Sequence, residues 1–226
     1  MTVCVACLSD NGKKVVAGTD NTITHTIGTN VTYELETPHN KKLISIKENF
    51  SVMGAGNPDN INVVIANAKK KIHPQDQPKV ATEKVRDAFV EFWRDSQEKS
   101  ILSPVGLNWN IWTTQQNKLD SAIAKDIYEK LQKHQPIGEL VSVGYDTNTK
   151  EAYIAVISNG IILDRNTLGM GFAGAGMPLA NFSLIKAGYK KDMEDSEVRR
   201  LVEEAIKDAS HTAGVGGMGD IVILPV

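Results

Sequence analysis

Two β-prone apolar runs open the chain, residues 2–9 (TVCVACLS) and 14–20 (KVVAGTD). Asp10-Asn11-Gly12-Lys13 lies between them. Asn-Gly is the preferred pair for a two-residue type I′ turn, because both central residues need positive φ. With Asn11 and Gly12 as the loop, Asp10 pairs with Lys13, and counting outward sets Thr2 beside Asp20 and Asn21. After a polar excursion over 30–40, a second hairpin is predicted from 41–46 (KKLISI) and 50–53 (FSVM), with its turn at Lys47-Glu48-Asn49. The same counting places Lys42 near Gly54, at that hairpin's open end.

Helical periodicity follows. Pro58 suits the first helical position, and Ile61, Val64, Ile65, Ala68 and Ile72 recur on one face. Lys69-Lys70-Lys71 closes this helix where cations favour the dipole, a solvated helix end rather than a nucleic-acid patch. Val85, Ala88, Phe89, Phe92 and Trp93 form a second apolar face, and Leu119, Ile123, Ile127 and Leu131 a third. Residues 100–112 (SILSPVGLNWNIW) between them read as a loop or short strand, with Trp109 and Trp112 packed inward rather than anchoring a partner. Strands return over 139–145, 151–158 and 161–163. The Gly-rich segment 169–176 (GMGFAGAG) leads to a helix over 177–187. Val198, Leu201, Val202, Ala205, Ile206 and Ala209 mark another helix, and 220–224 a last strand. Strands, helices, strands, helices and a strand in that order predict an α+β sandwich rather than alternating βα units. No linker divides residues 1–226, so one domain is expected, with an expanded helical region over about 74–134.

Composition acts chiefly by exclusion. Lys+Arg number 25 and Asp+Glu 27, a net charge of −2, so no excess points to nucleic acid or an anionic membrane. No apolar run approaches the ~20 residues of a membrane span, and no signal-like segment opens the chain. A cytoplasmic protein with no membrane partner is expected. Cys4-Val-Ala-Cys7 matches a CxxC pattern but lies within a strand, where the two side chains point to opposite faces; both read as core cysteines. Gly169-Met-Gly-Phe-Ala-Gly174 spells GxGxxG without the βαβ unit a dinucleotide site requires, and reads as a close-packed glycine turn. The five histidines are scattered away from zinc-site spacings. No metal and no cofactor is expected.

What remains is the juxtaposition of Thr2, Asp20 and Lys42 at two hairpin ends. Threonine is small enough for Met1 to be removed, which leaves Thr2 with a free α-amine. A threonine hydroxyl is a poor nucleophile until a base takes its proton, and the amine of the same residue can act as that base. Its ordinary pKa is ~7.7–8.0, and a nearby ammonium lowers it. Lys42 would supply that charge, with Asp20 holding it, and the N–H groups of Gly54-Ala55-Gly56 would stabilise an oxyanion.

Those residues resemble the proteasome β-subunit family of N-terminal-nucleophile hydrolases. Thr2-Val-Cys-Val-Ala, Val15-Val-Ala-Gly-Thr-Asp20 and Thr24 are similar to its opening hairpin. Asn40-Lys-Lys42-Leu-Ile-Ser-Ile46 is similar to its lysine-bearing segment, and Gly54-Ala-Gly56 to its oxyanion segment. AGAGMP (173–178), AGYKKDM (187–193) and GGMGDIVI (216–223) fall where its carboxy-terminal motifs fall; the match covers about three-fifths of the chain. The resemblance implies a four-layer αββα sandwich and a threonine peptidase. Thr2 would be the nucleophile, Asp20 and Lys42 its activators, and Gly56 the oxyanion donor. Thr24, Gly54 and Ala55 would bind substrate, with Gly54 leaving room for a large side chain. It implies peptide or unfolded-protein substrates, a ring-like homo-oligomer, an unfoldase ATPase partner, and processing by loss of Met1 alone. A peptide ligase using the same threonine and a non-catalytic assembly subunit are the alternatives. The second is motivated by Ala175, Thr212 and Val215, which stand where the family carries a serine, an aspartate and a serine. The stretch between Asp20 and Lys42 is also longer than in the family.

Overall fold

A computed structural model describes residues 2–27, 31–36, 41–136 and 138–225; for 23–27 and 31–36 it describes the backbone alone. The first hairpin pairs β1 (Cys4–Ser9) with β2 (Lys14–Asp20). Asn11 and Gly12 both take positive φ, 58° and 81°, as the Asn-Gly pair predicts. The register, Cys4 opposite Thr19 and Ser9 opposite Lys14, is the one counted from the sequence. β5 (Leu43–Lys47) and β6 (Phe50–Gly56) form the other predicted hairpin, with an irregularity between Ser45 and Lys47.

Three readings of the sequence are corrected. The polar excursion 30–40 contains β4 (Val31–Glu36), which pairs antiparallel with β3 (Thr22–Ile27). The glycine-rich segment is not all turn: β10 (Met170–Ala173) pairs with β1, and Gly171 leaves the space that the Ile154 side chain of the other sheet fills. The tryptophan segment is mostly helical, with a loop only over 106–108. A π-helical turn (Glu98–Leu102) extends α2 (Pro78–Gln97), and Asn108 caps α3 (Trp109–Gln115) by accepting from the Ile111 N–H.

Two larger antiparallel sheets result, in the orders β10-β1-β2-β11 and β5-β6-β7-β8-β9, beside the β3-β4 pair. Here β7 is Gly138–Asp146, β8 Glu151–Ser158, β9 Ile161–Asp164 and β11 Met218–Leu224. The architecture is mixed α+β. Strand alternation sends Cys4, Ala6 and Leu8 into a core shared with Met53, Val141 and Ile154 of the other sheet. Val3, Val5 and Cys7 point the other way, against α5 (Met177–Lys186) and α6 (Asp195–Ala209). The six predicted apolar positions of α6 are all buried; full burial of each Val, Leu or Ile contributes about 1.5–3 kcal/mol.

α1 (Pro58–Lys71) and α2 cover the outer face of the five-stranded sheet through Val64, Ile65, Val85 and Phe89. The α1 start is set by Asn57, whose side chain accepts from the Asn60 N–H at 3.1 Å, with Pro58 next in line. Leu102, Trp112 and Ile127 form a satellite core under α3 and α4 (Ser121–Lys133), within the expanded region. Trp109 packs there too and donates its indole N–H to the Arg94 carbonyl at 2.9 Å. Ile123 is half exposed and Leu119 precedes α4, so the third apolar face is narrower than predicted. No helix among the described residues is long and apolar enough to cross a membrane.

Candidate active site

The two hairpins belong to different sheets, and their open ends meet at one edge of the shared core. Asp20 ends β2 with its side chain wholly buried. Oδ1 accepts from the Val3 N–H at 2.9 Å, and Oδ2 from the N–H groups of Gly216 at 3.1 Å and Thr22 at 3.3 Å. The Lys42 ammonium lies 2.8 Å from both oxygens, its side chain 9% exposed. Lys42 is positioned by its own hairpin, where its carbonyl accepts from the Gly54 N–H at 3.2 Å. A charge pair this deeply buried needs its remaining lone pairs satisfied. Three main-chain N–H groups from separate segments do that for Asp20.

Thr2 is buried beside this pair, one residue before the Val3 amide that Asp20 holds. Its carbonyl accepts from the Gly176 N–H at 3.2 Å. Gly174, with φ at +91°, packs on the same carbonyl, and a Cβ there would collide with the Thr2 carbonyl group. The turn before α5 therefore seats Thr2 through backbone alone. Thr2, Lys42, Gly54, Ala55 and Gly56 line one cleft of about 360 Å³, and Ala175 faces it from the turn.

The cleft brings together five of the predicted site residues, with Asp20 beneath. Gly54 plays a different part from the one expected. A side chain at 54 would enter space already filled by Ile61 and Leu140, so the glycine admits Ile61 to the cleft wall instead of leaving a void. Thr24 lies on β3 with its backbone opposite Glu34; its side chain and Met1 lie outside the described residues. Ala175 brings no hydroxyl to the cleft, and Val215 is buried against the α5–α6 core. Thr212 accepts from the Val215 N–H through its carbonyl, in the loop that presents the Gly216 N–H to Asp20. The group this loop brings to the acid is the Gly216 main-chain N–H.

Sequence reasoning missed two contributors. The Gly216 N–H is a backbone donor with no side-chain signature. Glu139, at the start of β7 and opposite Ala55, accepts from the Gly174 N–H at 3.3 Å and from the Ser158 hydroxyl at 2.9 Å. A carboxylate beside the apolar run Leu140–Val141 at the head of β7 was the available signal. Electrostatics register its proximity. Burial pushes the Cys4 thiol well up, the negative charge of Asp20 adds, Lys42 opposes, and Glu139 adds again.

No group of three or more His, Cys, Asp or Glu among the described residues is arranged to hold a metal ion. The site therefore offers a threonine, a buried acid–ammonium pair and a set of main-chain N–H groups around one cleft. No protein-family model matches this chain, and no curated protein matches it.

Proposed function

We propose that the chain is a threonine peptidase of the proteasome β-subunit type, with Thr2 as an N-terminal nucleophile. The observation that carries the reading is the Asp20–Lys42 pair, buried under Thr2 and bonded to the main chain on its carboxyl side. After removal of Met1, the Thr2 hydroxyl gives its proton to the α-amine of the same residue. Its oxygen then attacks a peptide carbonyl. The Lys42 ammonium favours the neutral amine that this step requires, and Asp20 fixes the ammonium in place. The Gly56 N–H takes the developing oxyanion. Collapse expels the amine product, which carries away the proton, and water hydrolyses the resulting ester.

The packing order supports the same reading. Helices α5 and α6, the β1-containing sheet, the β5–β9 sheet, and helices α1 and α2 follow one another through three apolar clusters. We read this as the four-layer αββα sandwich of N-terminal-nucleophile hydrolases. With it go a ring-like homo-oligomer, an unfoldase ATPase as partner, peptide or unfolded-protein substrates, and a cytoplasmic location.

Intact mass before and after treatment with a peptide epoxyketone tests the proposal, because that probe cross-links a free N-terminal amine and its own hydroxyl. Loss of Met1 with one adduct per chain, absent in Thr2→Ala, is the expected result. Retained Met1 with no adduct would refute the peptidase and leave a non-catalytic subunit. With an acceptor peptide present, hydrolysed products support the peptidase, and joined products would replace it with a ligase.

A further inference from the structure

We infer that Glu139 is a positioning residue for Thr2, acting through the turn that precedes α5; the inference rests on the N-terminal-threonine reading. The carboxylate spans two elements. One oxygen accepts a hydrogen bond from the Ser158 hydroxyl within the five-stranded sheet, and the other accepts from the Gly174 N–H across the gap to the other sheet's turn. Gly174 presses on the Thr2 carbonyl, and two residues later the Gly176 N–H donates to that carbonyl's oxygen. Glu139 therefore reaches Thr2 through two backbone contacts. Its cross-strand neighbour Ala55 lines the cleft, and a Cβ at Gly174 would lie 3.0 Å from the Ala55 Cβ.

The chain has reason to need this device. Ala175, at the tip of the turn, has no polar side chain with which to tie the turn to Thr2. The turn must hold glycine at 174, whose φ of +91° other residues rarely adopt, and glycine is the residue with the most backbone freedom to lose. An acceptor oxygen on the Gly174 N–H restrains that freedom by holding the amide in one orientation. Ser158 in turn fixes the carboxylate's rotamer. Reach and hydrogen bonding, more than net charge, are what the geometry uses.

Four variants separate these properties. Glu139→Gln keeps reach and an acceptor oxygen, while its amide N–H can still serve Ser158. Glu139→Asp keeps the charge but is one methylene short, Glu139→Ala removes the link, and Ser158→Ala removes only the buttress. Hydrogen exchange over 173–177, epoxyketone modification rate at Thr2 and steady-state kinetics on a fluorogenic peptide are measured on the processed protein. In Glu139→Ala and Glu139→Asp, exchange over 173–177 accelerates. Modification rate and kcat fall about ten-fold or more, as small misplacements of a reacting group do, with KM nearly unmoved. Glu139→Gln recovers most of the loss, and Ser158→Ala shows a smaller loss of the same kind.

Faster exchange with unchanged kcat would overturn the positioning role. A defective Glu139→Gln beside a competent Glu139→Asp would overturn it in favour of charge, and a rise in KM alone in favour of a substrate contact. Should Glu139→Ala fail to fold, the Gln and Asp pair decides. Wild-type protein that keeps Met1 and takes no adduct refutes the peptidase reading before any variant is made, and the role of Glu139 in positioning a nucleophile falls with it.

Discussion

Asp20 and Lys42 form one ion pair, yet removing either partner should cost very different amounts. Asp20 has three main-chain donors besides the ammonium: the N–H groups of Val3, Thr22 and Gly216. The hydrogen bonds of the Lys42 ammonium run to Asp20. In Lys42→Met the carboxylate keeps three dipoles that favour its charge, and a hydrophobic side chain of similar length fills the space. In Asp20→Asn the ammonium stays in a site 9% exposed without its counter-charge, and the new amide N–H₂ meets backbone donors. Leaving a buried charge unpaired costs about 3–5 kcal/mol. Asp20→Asn should therefore destabilise by about 3–5 kcal/mol, and Lys42→Met by about 1–2 kcal/mol, little more than one net charge-assisted hydrogen bond. Urea unfolding followed by circular dichroism reads both, with the slope checked for constancy. The double variant should recover most of the Asp20→Asn loss, because the stranded ammonium is gone. Equal losses in the single variants, or a double variant as unstable as the sum, would refute the view that the main chain anchors the acid.

Other outcomes follow from the same geometry. Gly54→Ala pushes a Cβ into Ile61 and should cost about 1–3 kcal/mol through overpacking, seen as a lower urea midpoint; an unchanged midpoint would mean that the α1 contact yields freely. Cys4 and Cys7 are fully buried, and burial pushes both thiols up. Ellman's reagent should find no reactive thiol in the native protein and two after denaturation, and fast native labelling would contradict the strand packing. Burial raises the Tyr153 phenol to about 12, with Asp164 adding, and burial raises Tyr189 as well. A raised phenol favours the protonated folded state, so its contribution to stability is complete below pH ~10 and lost as pH rises through about 12. Absorbance near 295 nm should show the Tyr153 and Tyr189 phenols titrating late, and Tyr153→Phe should remove one late step.

Local structure is legible from the residues wherever chemistry within a few positions decides it. Asn11-Gly12 dictates the turn and thereby the register, which is why Asp20 comes to the Thr2 end of the first hairpin. The same counting brings Lys42 to Gly54, and a 3.6-residue stripe makes α6 legible from its six apolar positions. Asn57-Pro58 marks the start of α1 as clearly.

How those pieces meet depends on long-range packing. That the two hairpin ends face each other across separate sheets depends on how the sheets stack, an arrangement set by the total of buried apolar area and not by any local pair. β10 becomes a strand because β1 offers it a ladder of hydrogen bonds; the glycine-rich run 169–176 around it alone predicts a turn. Most of residues 100–112 is helical because Trp112 and Leu102 find a satellite core, a long-range contact invisible to periodicity. Gly54 shows the same limit, since the space beside a glycine belongs to whichever neighbour fills it, here Ile61. The Gly216 and Gly174 amides carry no side-chain signature at all, and only a folded backbone can aim an N–H group from position 216 at an acid at position 20.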